Sequence, residues 1–72
     1  GVWGSVIGQV RAGQRFIASR SQSGWYRIDW RGREGWISGD YVRRVSATAM
    51  IVTASSLNVR SGPGTGNAAI GL

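Results

Sequence analysis

Few side chains in this 72-residue chain could act as acids, bases or metal ligands. It contains no cysteine and no histidine, and its three carboxylates fall in separate stretches, at Asp29, Glu34 and Asp40. General acid–base catalysis needs a positioned base, and zinc-type sites need thiolate or imidazole ligands. The sequence therefore predicts no catalytic residues, no metal site and no cofactor, and we expect a protein that is not an enzyme.

Positive charge is the chemical property that the sequence has in excess. Nine arginines, no lysine and three acids give a formal net charge of +6 at pH 7. Arginine binds carboxylate or phosphate through two parallel hydrogen bonds and stacks on aromatic rings. This composition suits an anionic or aromatic-rich partner, although a compositional bias of the source organism would give the same count.

The elements that must position these charges are short β-strands separated by glycine-containing turns. Tyr26, Ile28 and Trp30 alternate with Arg27 and Asp29, which is typical of a half-buried antiparallel strand. No stretch carries an apolar stripe at helical spacing. We therefore predict an all-β fold, with turns at residues 11–13, 21–24 and 31–33. The predicted strands are 6–10, 14–20, 24–30, 34–38, 50–54 and 57–60.

The length of the chain allows one thin hydrophobic core, so we predict a single domain over residues 1–72. A connection at 46–53, which begins with the small, polar segment 46–49, separates residues 1–45 from residues 54–72, and the second piece is too short to fold alone. No apolar run approaches the roughly 18 residues of a membrane span. The first residue is glycine and no signal-peptide pattern follows it, so we expect a piece of a longer protein.

Residues 56–65, SLNVRSGPGT, resemble the opening motif of bacterial SH3-like (SH3b) domains. Five further blocks are similar to the rest of the family pattern and stand in the family's order: VIG at 6–8, AGQ at 12–14, GWYRI at 24–28, GWIS at 35–38 and YV at 41–42. The block that opens the family pattern stands last here. This order indicates either a circularly permuted domain or a window across two tandem repeats.

The resemblance implies a small SH3-like barrel of about five to six short antiparallel strands. Residues 54–63 would supply its first strand, either to residues 5–45 of the same chain or to a neighbouring chain in a strand-swapped oligomer. We favour closure within one chain, although a weak similarity between residues 1–9 and 64–72 keeps swapping open. In either case Leu57 and Val59 are expected to pack in the core against Ile7, Phe16, Ile28 and Ile37.

The resemblance also implies a ligand groove beside the displaced motif. The candidate ligand contacts are Asn58, Arg60, Trp25, Trp36 and Tyr41. Structural roles are open for most of them, because Asn58 and Arg60 could instead brace a loop. The two tryptophans could instead pack over the barrel.

SH3-like domains of bacteria are commonly attached to cell-wall hydrolases or surface proteins. The resemblance therefore implies a noncatalytic module that binds peptidoglycan, its peptides or an anionic wall polymer. It also implies an extracellular or envelope location, within a longer secreted protein. A small basic barrel could alternatively bind nucleic acid, although the sequence has no recognised nucleic-acid motif. A structural or engineered repeat barrel without a ligand of its own is the third interpretation.

Overall fold

The computed structural model describes residues 4–64, which form seven β-strands and one short 3-10 turn. In chain order the elements are β1 (Val6–Arg11), β2 (Arg15–Gln22), β3 (Trp25–Trp30), β4 (Arg33–Ser38), the 3-10 turn Gly39–Tyr41, β5 (Val42–Arg44), β6 (Ala49–Val52) and β7 (Ser56–Arg60). The predicted all-β class is confirmed. Within the described residues, no helix is long and apolar enough to cross a membrane.

Each of the six predicted strands overlaps a strand of the structure. The seventh, β5, is additional to the predicted five or six. It has only three residues, of which Arg43 and Arg44 are exposed, so it shows no apolar alternation in the sequence. Its pairing with β6, and not its own pattern, makes it a strand.

Two tight hairpin turns join β2 to β3 and β3 to β4. Ser23 and Gly24 have φ of 52° and 83°, and Arg31 and Gly32 have φ of 55° and 78°. Positive φ at both central residues is the requirement of the type I′ turn, whose twist matches that of the flanking strands. The turns predicted at 21–24 and 31–33 are confirmed, and β2, β3 and β4 form a continuous antiparallel meander.

The strands form one antiparallel sheet in the order β1-β7-β4-β3-β2-β6-β5. β2 has two partners: residues 15–17 pair with β6, and the later part of the strand, from Ala18 to Gln22, pairs with β3. A strand shared in this way lets the sheet bend around a single core. The result is the small SH3-like barrel that the resemblance implied.

The SLNVR motif, whose displacement from the family order stays a prediction, forms β7, which lies inside the sheet between β1 and β4. Val59 pairs with Gly8, Leu57 pairs with Val10, and Arg60 pairs with Trp36. The strand at the end of the described chain therefore connects the first strand to the central meander. Of the similar segments 1–9 and 64–72, residues 1–3 and 65–72 lie outside the described residues, and closure within one chain in solution stays a prediction.

Alternate side chains of five strands meet in one buried cluster, which we call the inner core: Val10, Ile28, Ile37, Val52, Leu57 and Val59. Ile7 and Phe16 are partly buried and pack against it. The predicted core positions of Leu57 and Val59 are confirmed, and so are their predicted neighbours. β7 thus contributes a third of the residues of the inner core.

Candidate functional site

β4 is buried on both of its faces, unlike a strand with one solvated side. Residues 35–38 are all buried. Ile37 belongs to the inner core, so Trp36 and Ser38 point to the opposite face, because side chains alternate along a strand. Trp25 on β3 pairs directly with Ser38 and shares its face. Trp25 and Trp36 are only 0% and 3% exposed, and a second layer of buried residues therefore lies outside the barrel.

The turn that follows β7 covers Trp25 of this second layer. Gly64 is buried, and a Cβ added to it would lie 2.9 Å from Nε1 of Trp25 and 3.1 Å from its Cε2. The backbone of Gly64 therefore rests on the indole ring, an approach that only glycine allows. We call Trp25, Trp36, Ser38 and Gly64 the outer layer.

A chain of polar contacts fixes Trp36 from one side. Its Nε1 donates to Oε2 of Glu34 at 2.7 Å, and Nε of Arg27 lies 3.0 Å from the other carboxylate oxygen, Oε1. Nη1 of Arg27 donates in turn to Oγ of Ser19 at 3.2 Å. The hydrogen bond from Trp36, followed by that from Arg27, holds the pKa of Glu34 below its ordinary value. Three strands are thus connected through one ionised carboxylate.

Asn58 and Arg60 point out of the barrel because Leu57 and Val59 point into it. Oδ1 of Asn58 accepts a hydrogen bond from Nε2 of Gln9 at 3.1 Å. Nη1 of Arg60 donates to the carbonyl oxygen of Gly4 at 3.2 Å. Each side chain therefore braces a neighbouring segment. These contacts leave open whether either side chain also touches a ligand.

Tyr41 stands in a third setting, at the end of the 3-10 turn. Its side chain packs against the inner core, and its carbonyl oxygen accepts from the amide of Thr53 at 2.9 Å. Of the five candidates, Arg60 and Trp36 lie side by side because their strands pair. Tyr41 has other neighbours, namely the inner core and the amide of Thr53. Ligand contact by any of the five candidates stays a prediction.

Two arginines that were not among the candidates adjoin this site. Cross-strand pairs run from Arg60 to Trp36, from Trp36 to Arg27 and from Arg27 to Arg20, across β7, β4, β3 and β2. We call Arg20, Arg27 and Arg60 the cationic row. Sequence reasoning missed it because the row depends on strand register, which the spacing of single arginines does not reveal.

Two open grooves lie where β2 changes partners. The first, of about 410 Å³, lies between β2 and the β3–β4 hairpin, and its lining includes charges of both signs: Arg27, Asp29, Arg33 and Glu34. The second, of about 170 Å³, is lined by Arg20 and Arg44 and by no acidic residue. Neither groove could be predicted from the sequence, because each is created by the split pairing of β2.

The described carboxylates do not gather into a site. Asp29 pairs with Glu34 across β3 and β4, while Asp40 lies in the 3-10 turn, where its amide donates to Oγ of Ser38 at 3.3 Å. Within residues 4–64, no three acidic residues stand close enough together to hold a metal ion.

Comparison with protein families gives one match, to the family described as bacterial SH3 domain, over residues 4–43. The match extends from before β1 into β5, so it includes Trp25, Trp36 and Tyr41 and ends before Asn58 and Arg60. Comparisons with curated proteins and with solved structures give no match.

Proposed function

This chain belongs to the bacterial SH3 domain family, and we propose that it is a noncatalytic module that binds the bacterial cell wall. The family match over residues 4–43 carries the proposal, because domains of this family are commonly cell-wall binding modules. The ligand in this proposal is a peptidoglycan peptide or an anionic wall polymer, which the net charge of +6 would attract. The parent would be a secreted or envelope protein.

In this proposal Asn58, Arg60 and Tyr41 supply ligand contacts. Arg27 adds a side chain that is 40% exposed on the same face as Trp36. The buried tryptophans support the surface from beneath, because rings exposed by 0% and 3% offer little area to a ligand. The same burial disfavours single-stranded nucleic acid, whose bases would need exposed ring faces to stack on.

The proposal is tested by co-sedimentation with purified peptidoglycan sacculi, used with their anionic polymers attached and after these have been removed. The protein should pellet with at least one preparation and release no muropeptides. If anionic polymers contribute, binding to intact sacculi should weaken as salt is raised, because screening acts on exposed charges. A DNA mobility shift run beside it should be weak. Failure to bind either preparation would contradict the proposal, and tight DNA binding would replace it.

Point variants then test which residues contact the ligand. Asn58→Ala, Arg60→Gln and Tyr41→Phe should each weaken sacculus binding while thermal unfolding stays cooperative. Tyr41→Phe is chosen because it keeps the ring that packs against the inner core. Arg31→Gln is the control, since it removes the same charge at a hairpin turn, where Arg31 lies 4.8 Å from the ring centre of Trp30. If all three variants bind like the parent, the ligand contacts lie elsewhere.

A further inference from the structure

We propose that the 170 Å³ groove between the end of β2 and the segment after β5 is a phosphate-binding site, which recognises phosphate groups carried by a polymer. The inference rests on the proposed wall-binding function and names the ligand chemistry of one part of the surface. We call this groove the arginine groove, after Arg20 and Arg44 in its lining.

The groove exists because β2 and β6 separate. Their pairing ends at Ile17 and Ala49, and the amide of Ala18 makes one more hydrogen bond, to the carbonyl oxygen of Thr48 at 2.7 Å. Beyond this point β2 continues with β3 alone, while the chain from 45 to 48 bends away. Oγ of Ser46 accepts from the amide of Ala49 at 3.1 Å, which fixes that bend as one rim of the groove.

The charge of the arginine groove is unbalanced. Arg20 and Arg44 both line it and both are exposed, and its lining includes no acidic residue. Within residues 4–64, neither guanidinium has a carboxylate oxygen within 4.0 Å; the described ion pair joins Arg27 to Glu34, and Arg20 acts on Glu34 only from a greater distance, as a minor cause of the lowered pKa of that carboxyl. An anion bound between two like charges relieves their repulsion and gains a contact to each.

Neutral donors and an apolar floor complete the groove. Ser21 and Tyr26 pair directly across β2 and β3, so their hydroxyl-bearing side chains share a face, and both line the groove. Ala18 and the buried Met50 also line it. A phosphodiester and a carboxylate each present two anionic oxygens, but the phosphate group is tetrahedral and the carboxylate is planar. Donors that converge from both sides of a groove therefore suit the phosphate group better.

Arg20 lines the groove within an unbroken run of β2 residues, from Ala18 to Ser21. The pairing of β2 with β3 shifts between Ala18 and Arg20, which marks a β-bulge. Bulges increase the local twist and re-aim side chains. Arg20 pairs with Arg27 and Ser21 pairs with Tyr26, so Arg20 and Ser21 alternate across β2, and the groove that both line follows the edge of this strand. The larger groove is a poorer site for phosphate, because Asp29 and Glu34 line it.

The test uses poly(glycerol phosphate), which carries one phosphodiester per repeat, as the labelled probe. Poly-L-glutamate of matched charge is the carboxylate comparison, and both are titrated at the same ionic strength. The parent should bind the phosphate polymer at least about tenfold more tightly. Equal affinity for the two polymers would overturn the proposal, because the groove would then respond to charge alone.

Point variants distinguish binding in the arginine groove from general electrostatic attraction to the positively charged protein. Arg20→Gln and Arg44→Gln should each weaken binding of the phosphate polymer about tenfold, and Arg44→Lys should restore only part of it, since lysine lacks the bidentate fork. Arg43→Gln is the matched control: it removes the same charge one residue away, on the opposite face of β5. If Arg43→Gln weakened binding of the phosphate polymer as much as Arg20→Gln and Arg44→Gln, the proposed site would be overturned.

The parent's results distinguish this proposal from the wall-binding function. Binding to sacculi stripped of anionic polymers, without binding to poly(glycerol phosphate), would overturn the phosphate site and support the function. Binding to the phosphate polymer without binding to either sacculus preparation would support the site and contradict the function. Binding to neither would contradict both.

Discussion

The inner core and the outer layer are both buried, but they are built in different ways. The inner core collects aliphatic side chains from alternate positions of β1, β3, β4, β6 and β7. The outer layer consists of two tryptophans and a serine on the back of β3 and β4, closed by the approach of Gly64. Strand alternation alone produces the inner core, whereas the outer layer needs a loop that covers Trp25.

This difference bears directly on function. Exposed tryptophans beside a basic strand would be natural ligand contacts. The tryptophans of the outer layer are instead buried. Strand pairing places Arg27 and Arg60 of the cationic row on either side of Trp36. In the proposed function, ligand recognition is therefore assigned to charged and polar side chains at the surface.

Removing β7 should have the largest effect, because β7 supplies Leu57 and Val59 to the inner core and leads to Gly64 of the outer layer. A chain that ends at Ala54 should be unfolded, since a domain of this size has a free energy of unfolding of only about 4–11 kcal/mol. Circular dichroism should show no cooperative thermal transition. A cooperative transition near that of the full chain would show that β7 is dispensable.

Within the inner core, Leu57→Ala should lower the free energy of unfolding by about 2–5 kcal/mol, as truncation of a buried leucine does. Leu57 is 1% exposed. Ile17→Ala is the matched control, because Ile17 is 63% exposed and its loss should change stability by about 0.5 kcal/mol or less. Urea denaturation measures both variants. Similar losses from the two would contradict the assignment of the inner core.

In the outer layer, Gly64→Ala should cost about 1–3 kcal/mol, because its Cβ would press on the indole of Trp25. The tryptophan emission should shift to longer wavelength as the cover loosens. Gly62→Ala is the control, since the nearest atom to its Cβ would be Cα of Gly4 at 3.9 Å. If Gly64→Ala leaves both stability and emission unchanged, this turn does not cover the tryptophan.

The smallest effect concerns Glu34, which connects Trp36 to Arg27. Because folding lowers its pKa, its stabilising contribution is complete above the unfolded pKa of about 4.3 and is lost as the pH falls through the lower folded pKa. Stability should therefore decline in this acidic range, and Glu34→Gln should remove that part of the decline. An identical pH profile for parent and variant would contradict the role of Glu34.

The sequence predicted four of the six inner-core residues, Ile28, Ile37, Leu57 and Val59, but not Val10 or Val52, and it was insufficient for the outer layer. Alternation and the SLNVR motif predicted that Leu57 and Val59 would be buried, because a half-buried strand has a period of two. Strand alternation gave no such signal for Trp25 and Trp36. The resemblance left packing over the barrel open for both, and the cover over Trp25 comes from the backbone of Gly64. The cationic row and the arginine groove depend on register and on the split pairing of β2, which the pattern of single strands does not encode. β5 is too short to have a pattern.

Both layers depend on one claim: β7 completes the barrel of its own chain. Light scattering across a dilution series tests this claim most directly, because a strand donated to a neighbour would make the mass larger and, in an open assembly, dependent on concentration. We predict a mass near 7.7 kDa that is independent of concentration. A stable doubled mass, or one that grows with concentration, would contradict closure within one chain.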